Sequence, residues 1–99
     1  MTPGQQEILG RLAENRAALQ RLGVRRLGLF GSAAGGGATE PRDLDFLVEL
    51  QNKTFDAYMD VKALLEELFD RPVDLVLADA LKPALRERIL RETVYAPGF

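Results

Sequence analysis

Leu27-Gly28-Leu29-Phe30-Gly31-Ser32, followed after ten intervening residues by Asp43-Leu44-Asp45-Phe46-Leu47-Val48, decides how the rest of this 99-residue chain is read. The first stretch is apolar and β-prone up to a Gly-Ser turn. The second is a run of large apolar residues with acids at its first and third positions, Asp43 and Asp45. Between them, Ala33-Ala34-Gly35-Gly36-Gly37-Ala38-Thr39-Glu40-Pro41-Arg42 has the composition of a loop. Strand, loop and strand is the natural reading. Side chains alternate along a strand, so Asp43 and Asp45 project the same way with Cα atoms about 6.6 to 6.8 Å apart. Two adjacent carboxylates repel and raise one pKa, and a divalent cation between them reverses that cost. Magnesium suits such a pair, because it takes carboxylate and phosphate oxygens and keeps water in its other positions.

A third acid, Asp74, lies in Arg71-Pro72-Val73-Asp74-Leu75-Val76-Leu77. Val73, Leu75 and Leu77 share one face of this expected strand, and Asp74 and Val76 share the other. Beside the strand carrying Asp43 and Asp45 its backbone would be only about 4.8 Å away. Three carboxylates could then hold one or two cations, at the spacing of roughly 3.5 to 4 Å that two-metal centres need. Taken singly these signals are ordinary: Gly-Ser is a common turn, a glycine-rich stretch is often just a connection, and an acid on a strand can simply face solvent. Their order and spacing together point to nucleotidyl transfer.

Gly31-Ser32, ten intervening residues and Asp43-x-Asp45 resemble the signature of the DNA polymerase beta superfamily of nucleotidyltransferases, and the short length resembles its minimal nucleotidyltransferase (MNT) branch. The segment around Asp74 is similar to the third-acid strand of that branch, and residues 81–95 look like its closing helix. The resemblance covers nearly the whole chain and implies one minimal nucleotidyltransferase domain over residues 1–99. It implies that Gly31 and Ser32 hold the nucleotide triphosphate, that Asp43 and Asp45 bind Mg2+, and that Asp74 is the third ligand or the base. The activity it implies is transfer of AMP from ATP to a hydroxyl of a partner protein. The partner implied is a HEPN-domain protein, so that the chain would be the antitoxin of a HEPN/MNT toxin-antitoxin pair. A small acceptor such as an aminoglycoside is the other kind of substrate the resemblance brings. In one respect the sequence departs from the pattern: arginines usually found shortly after the Gly-Ser pair read here as Ala33 and Gly35. Arginine suits bidentate phosphate contact, so the departure raises an alternative, a catalytically impaired module that neutralises its partner by binding alone. Backbone N–H groups of Gly35-Gly36-Gly37, or Arg42, are the residues at hand to compensate. A structural subunit that handles no nucleotide is a third reading.

Other chemistries drop out. The loop lacks a Gly-Lys-Ser/Thr ending, and no Gly-x-Gly-x-x-Gly opens a helix after a strand. With no His and no Cys, zinc sites of nitrogen and sulfur ligands, cysteine nucleophiles and serine-histidine triads are excluded. A formal net charge of -2 argues against general nucleic-acid binding. No segment is apolar and long enough to span a bilayer, and the N-terminus lacks the pattern of a secretion signal, so no membrane association is expected and the cytoplasm is the expected location. Homo-oligomerisation is left open.

The remaining organisation fits an α/β protein. An opening helix over 5–22 buries Ile8, Leu12, Leu19 and Leu22 and ends at Gly23. Strands are expected over 25–30, 44–50 and 73–77. A helix over 55–69 places Phe55, Tyr58, Val61, Leu65, Leu68 and Phe69 on one broad core face. The final helix starts after Asp79 or Lys82, with Pro83 suited to its first turn. Pro97 and Gly98 leave Tyr95 and Phe99 in an irregular tail, which reads as a partner-docking surface. The expected architecture is a small mixed sheet with helices packed on one side and the acids at an open edge, the nucleotidyltransferase (polymerase beta-like) fold.

Overall fold

The structure, a computed structural model, describes residues 4–31 and 44–99. Ser32, Asp43 and the loop bearing Ala33, Gly35 and Arg42 lie outside the described residues.

The chain opens with two helices rather than one, α1 (Gln5–Glu14) and α2 (Arg16–Arg21). The break falls at Asn15, whose φ of -107° and ψ of 15° leave the helical region. At the break the Asn15 side chain turns back on α1, its Nδ2 donating at 2.9 Å to the Arg11 carbonyl that also accepts the Asn15 N–H at 3.1 Å. The apolar stripe survives the kink, and Ile8, Leu12 and Leu19 are all fully buried. Gly23, at φ 97°, ends α2, a left-handed conformation that favours glycine.

β1 (Val24–Phe30) and β2 (Leu44–Leu50) pair antiparallel. A bulge between Val24 and Arg26 adds one residue to β1, so Val24 and Leu27 both reach the core while Arg25 and Arg26 stay exposed. α3 (Phe55–Phe69) then carries the chain to β3 (Val73–Leu77), which lies parallel to β2. Thr54 caps α3, its Oγ1 accepting from the Ala57 N–H at 3.1 Å. Asp70 ends it in the left-handed region at φ 51°. After a single 3-10 turn (Ala78–Ala80) come α4 (Pro83–Glu92), with Pro83 in its first turn as expected, and β4 (Val94–Tyr95). β4 pairs antiparallel with β1, giving a mixed sheet of order β3-β2-β1-β4.

One apolar cluster joins α1, α2 and α3 to one face of this sheet. At its centre Phe46 of β2 stacks on Phe69 of α3, ring centroids 5.8 Å apart. Removing such a ring typically costs about 3–5 kcal/mol. Among the described residues no polar or charged side chain is buried.

A small mixed sheet with helices α1 to α3 packed on one side is the architecture expected, and α4 adds no buried residue to the core. Three other expectations are corrected. The closing helix stops at Glu92 instead of running to residue 95, because Val94 and Tyr95 find strand partners in Leu29 and Gly28. The tail is part of the domain: the Ala96 N–H donates to the Leu27 carbonyl at 2.8 Å, Ala96 is buried, and Phe99 packs against the core. The stripe on α3 is also narrower than its sequence suggests, since Phe55 is 75% exposed.

Candidate functional site

The alternation that identifies β2 in the sequence sets its two faces apart in the structure. Leu44, Phe46 and Val48 are buried in the core, and Asp45 faces the other way, half-buried. On β3, Val73 and Leu75 are buried and Asp74 is exposed. The register sets Asp45 directly beside Asp74, and Phe30 of β1 on the other side of Asp45. Neighbouring strands lie about 4.8 Å apart, so the two carboxylates rise from adjacent backbones on the face away from the core.

Gly31 follows Phe30 and takes φ 77°. A Cβ built there would overlap Asp45 Oδ2 and lie 3.2 Å from Asp45 Cγ. The missing side chain is therefore the space that the Asp45 carboxylate occupies. Sequence reading gives Gly31 a turn and a phosphate. The steric relation to Asp45 depends on the strand register, which no local pattern reveals. Gly28 is a second glycine of this kind: a Cβ there would overlap the Thr93 methyl and lie 3.1 Å from Tyr95 Cδ1, which is how β4 approaches β1 so closely.

Of the five residues expected in the site, the structure thus brings together Gly31, Asp45 and Asp74, and Ser32 and Asp43 lie outside the described residues. Among the described residues, no group of three or more Asp, Glu, His or Cys is gathered as a metal site. Asp45 and Asp74 offer hard oxygen donors from neighbouring strands, a donor set that fits Mg2+ and not a soft metal. Further along the same face Arg26 is already engaged, 3.5 Å from the Glu49 carboxylate and 4.1 Å from the centre of the Tyr95 ring.

Two side chains that the sequence reading leaves in other roles hold the strand of Asp74 from outside. The Tyr58 hydroxyl donates to the Leu75 carbonyl at 2.6 Å, and Glu66 Oε2 accepts from the Val73 N–H at 3.0 Å. Tyr58 sits in the apolar stripe of α3 and Glu66 among its charged positions, and neither pattern announces a contact with backbone.

The nucleotidyltransferase domain family model matches residues 12–96. The protein adenylyltransferase MntA of Thermococcus cleftensis is 36% identical over 84 residues, covering 84% of this chain and 85% of the relative. A solved structure assigned as a minimal nucleotidyltransferase is 38% identical, with a TM-score of 0.71 over 92% of this chain and 98% of that one. The MNT antitoxin in complex with a tri-AMPylated HEPN toxin of Shewanella oneidensis superposes with a TM-score of 0.65 over 93% of this chain and 73% of that one. At 18% identity that last likeness is one of fold alone.

Proposed function

This chain belongs to the minimal nucleotidyltransferase family of the DNA polymerase beta-like superfamily, and we propose that it transfers AMP from ATP to a hydroxyl of a partner protein in the cytoplasm, with residues 1–99 as one catalytic domain. The partner proposed is a HEPN-domain toxin, for which this chain is the antitoxin. The observation that carries the reading is the pairing of Asp45 with Asp74 beside the side-chain-free Gly31. The adenylyl group is proposed from the 36% identical adenylyltransferase, and the HEPN partner from the complex of like fold.

In this reading Gly31 and Ser32 hold the triphosphate, and Asp43, Asp45 and Asp74 supply the oxygens for Mg2+. When bound, the cation supplies neutralisation of charge on the phosphates and on the leaving oxygen. The acceptor oxygen attacks the α-phosphorus, the bond from that phosphorus to the bridging oxygen of the β-phosphate breaks, and pyrophosphate leaves. In the same reading Asp74 accepts the hydroxyl proton, a role that its exposure, greater than that of Asp45, supports. Asp45, seated against Gly31, keeps its carboxylate fixed.

A second reading rests on Ala33 and Gly35, which stand where arginines would grip phosphate: the chain keeps the scaffold and neutralises its partner by contact alone. One experiment separates the two. The purified chain is incubated with labelled ATP, Mg2+ and the protein encoded beside it, and both proteins are weighed intact. Covalent AMP on the neighbour, lost with Asp45→Asn, supports transfer. A tight complex without added mass supports binding alone.

A further inference from the structure

We propose that Tyr58 and Glu66 are positioning residues for Asp74: α3 holds strand β3 by its outward backbone on both sides of that acid, and so fixes where the carboxylate stands. The inference rests on the reading of Asp74 as a site residue.

Among the described residues β3 is an edge strand, with only β2 beside it in the sheet. Its backbone groups alternate in direction. The Leu44 N–H donates to the Pro72 carbonyl at 3.2 Å, so the backbone polar groups of Pro72, Asp74 and Val76 face β2 and those of Val73 and Leu75 face outward. An outward edge is held by no ladder. Here the two outward residues that flank Asp74 are the two that α3 grips, the Val73 N–H by Glu66 and the Leu75 carbonyl by Tyr58. Asp74 is thus held by the sheet on one side and by α3 through its neighbours on the other.

The two anchors also match the course of the chain. α3 and β3 are joined by a tight reversal at 70–72, so the helix runs back along the strand, and Glu66 near its end meets Val73 while Tyr58 near its start meets Leu75. Both contacts are partly buried, where a hydrogen bond competes less with water. An edge strand without them would keep its apolar packing through Val73 and Leu75 but could slide or tilt at Asp74. A site that needs two carboxylates converging from adjacent strands loses affinity with such a tilt before it loses fold.

The test measures Mn2+ binding to the full chain without nucleotide, by the electron paramagnetic resonance signal of the free ion, with melting temperature recorded in parallel. Tyr58→Phe and Glu66→Ala are each expected to weaken Mn2+ binding on the order of three- to tenfold. Glu66→Gln, which keeps an acceptor for the Val73 N–H, is expected to stay within about twofold of the parent. In an Asp74→Asn background Tyr58→Phe is expected to change Mn2+ affinity no further. If Asp74→Asn weakens binding while Tyr58→Phe and Glu66→Ala change only the melting temperature, the positioning role is overturned and the site reading stands. If Asp74→Asn itself leaves Mn2+ affinity unchanged, the site reading falls and this inference falls with it.

Discussion

Gly31→Ala is the most direct probe of how the site is built. Two costs are expected. The first is conformational, because alanine at φ 77° is in the left-handed region, worth about 1–2 kcal/mol. The second is steric, because the new methyl would overlap Asp45 Oδ2 and sit 3.2 Å from Asp45 Cγ. Driving the carboxylate off its rotamer, or the turn away from β2, adds about 0.5–1.5 kcal/mol. The total is about 1.5–3.5 kcal/mol, measurable by urea unfolding at constant m. Asp45→Ala separates the two terms. It removes the atoms in conflict and leaves Asp45 Cβ at 3.4 Å, an ordinary contact. In that background Gly31→Ala is expected to cost only its conformational share, so the double-mutant cycle shows a coupling of about 1 kcal/mol. Additivity within about 0.3 kcal/mol would refute the argument that the Gly31 vacancy is the seat of the Asp45 carboxylate.

Three further outcomes are expected. Truncation after Val94 removes Tyr95, the buried Ala96 with its 2.8 Å bond to Leu27, and the core contact of Phe99, and is expected to lower the melting temperature by more than about 10 °C; an unchanged melting temperature would restore the tail to the role of a free docking segment. The Lys53 ammonium, first by its hydrogen bond and then by its charge, holds the Asp79 carboxyl below its ordinary value. A depressed pKa contributes stability that is present above the unfolded value of about 3.9 and lost as pH falls through the folded one. Lys53→Met is therefore expected to move the Asp79 titration, followed by carboxyl chemical shift, upward, and a titration that stays in place would show that the pair does not persist in solution. Ala33→Arg with Gly35→Arg is expected to tighten Mg-ATP binding by calorimetry, each charge-assisted contact worth about 1.5–3 kcal/mol before ordering costs; unchanged affinity would assign that work to the loop backbone or to Arg42.

What the sequence shows in advance follows from how local each signal is. β2, α3 and β3 occupy the spans that alternation and helical period predict, 44–50, 55–69 and 73–77, because each buries one face on one shared core. The break at Asn15 is not visible in the apolar spacing, since Leu12 and Leu19 stay in phase across it and both remain buried. Phe55 continues the stripe of α3 in sequence but lies in its first turn, where the side chain finds no cover. β4 is two residues long and depends on partners more than sixty positions earlier, so Val94 and Tyr95 carry no strand signal of their own. In the site, the likeness of faces that joins Asp45 to Asp74 is legible from alternation. The seat at Gly31 and the grip of Tyr58 and Glu66 on β3 come from register and from helix placement, and both are non-local.

The separation of faces on β2 and β3 has an energetic consequence that ties fold to function. The apolar faces carry the stability, through Phe46, Val48, Val73 and Leu75, while Asp45 and Asp74 stand side by side on the opposite face. Like charges side by side on neighbouring strands repel, and with Asp74 exposed to solvent the penalty is small, on the order of a few tenths of a kcal/mol. Without metal, Asp74→Asn should therefore unfold at slightly higher urea than the parent. Mg2+ at saturation should reverse the order, because a cation that binds only the folded pair stabilises the parent by about 2.7 kcal/mol at a hundred times its dissociation constant and gives the variant much less. The crossing of the two unfolding midpoints between chelator and Mg2+ is the signature of a pair kept for a ligand and not for the fold. If Asp74→Asn is less stable than the parent in chelator, or if Mg2+ moves both midpoints equally, the two acids are not a cation site and the nucleotidyl-transfer reading loses its foundation.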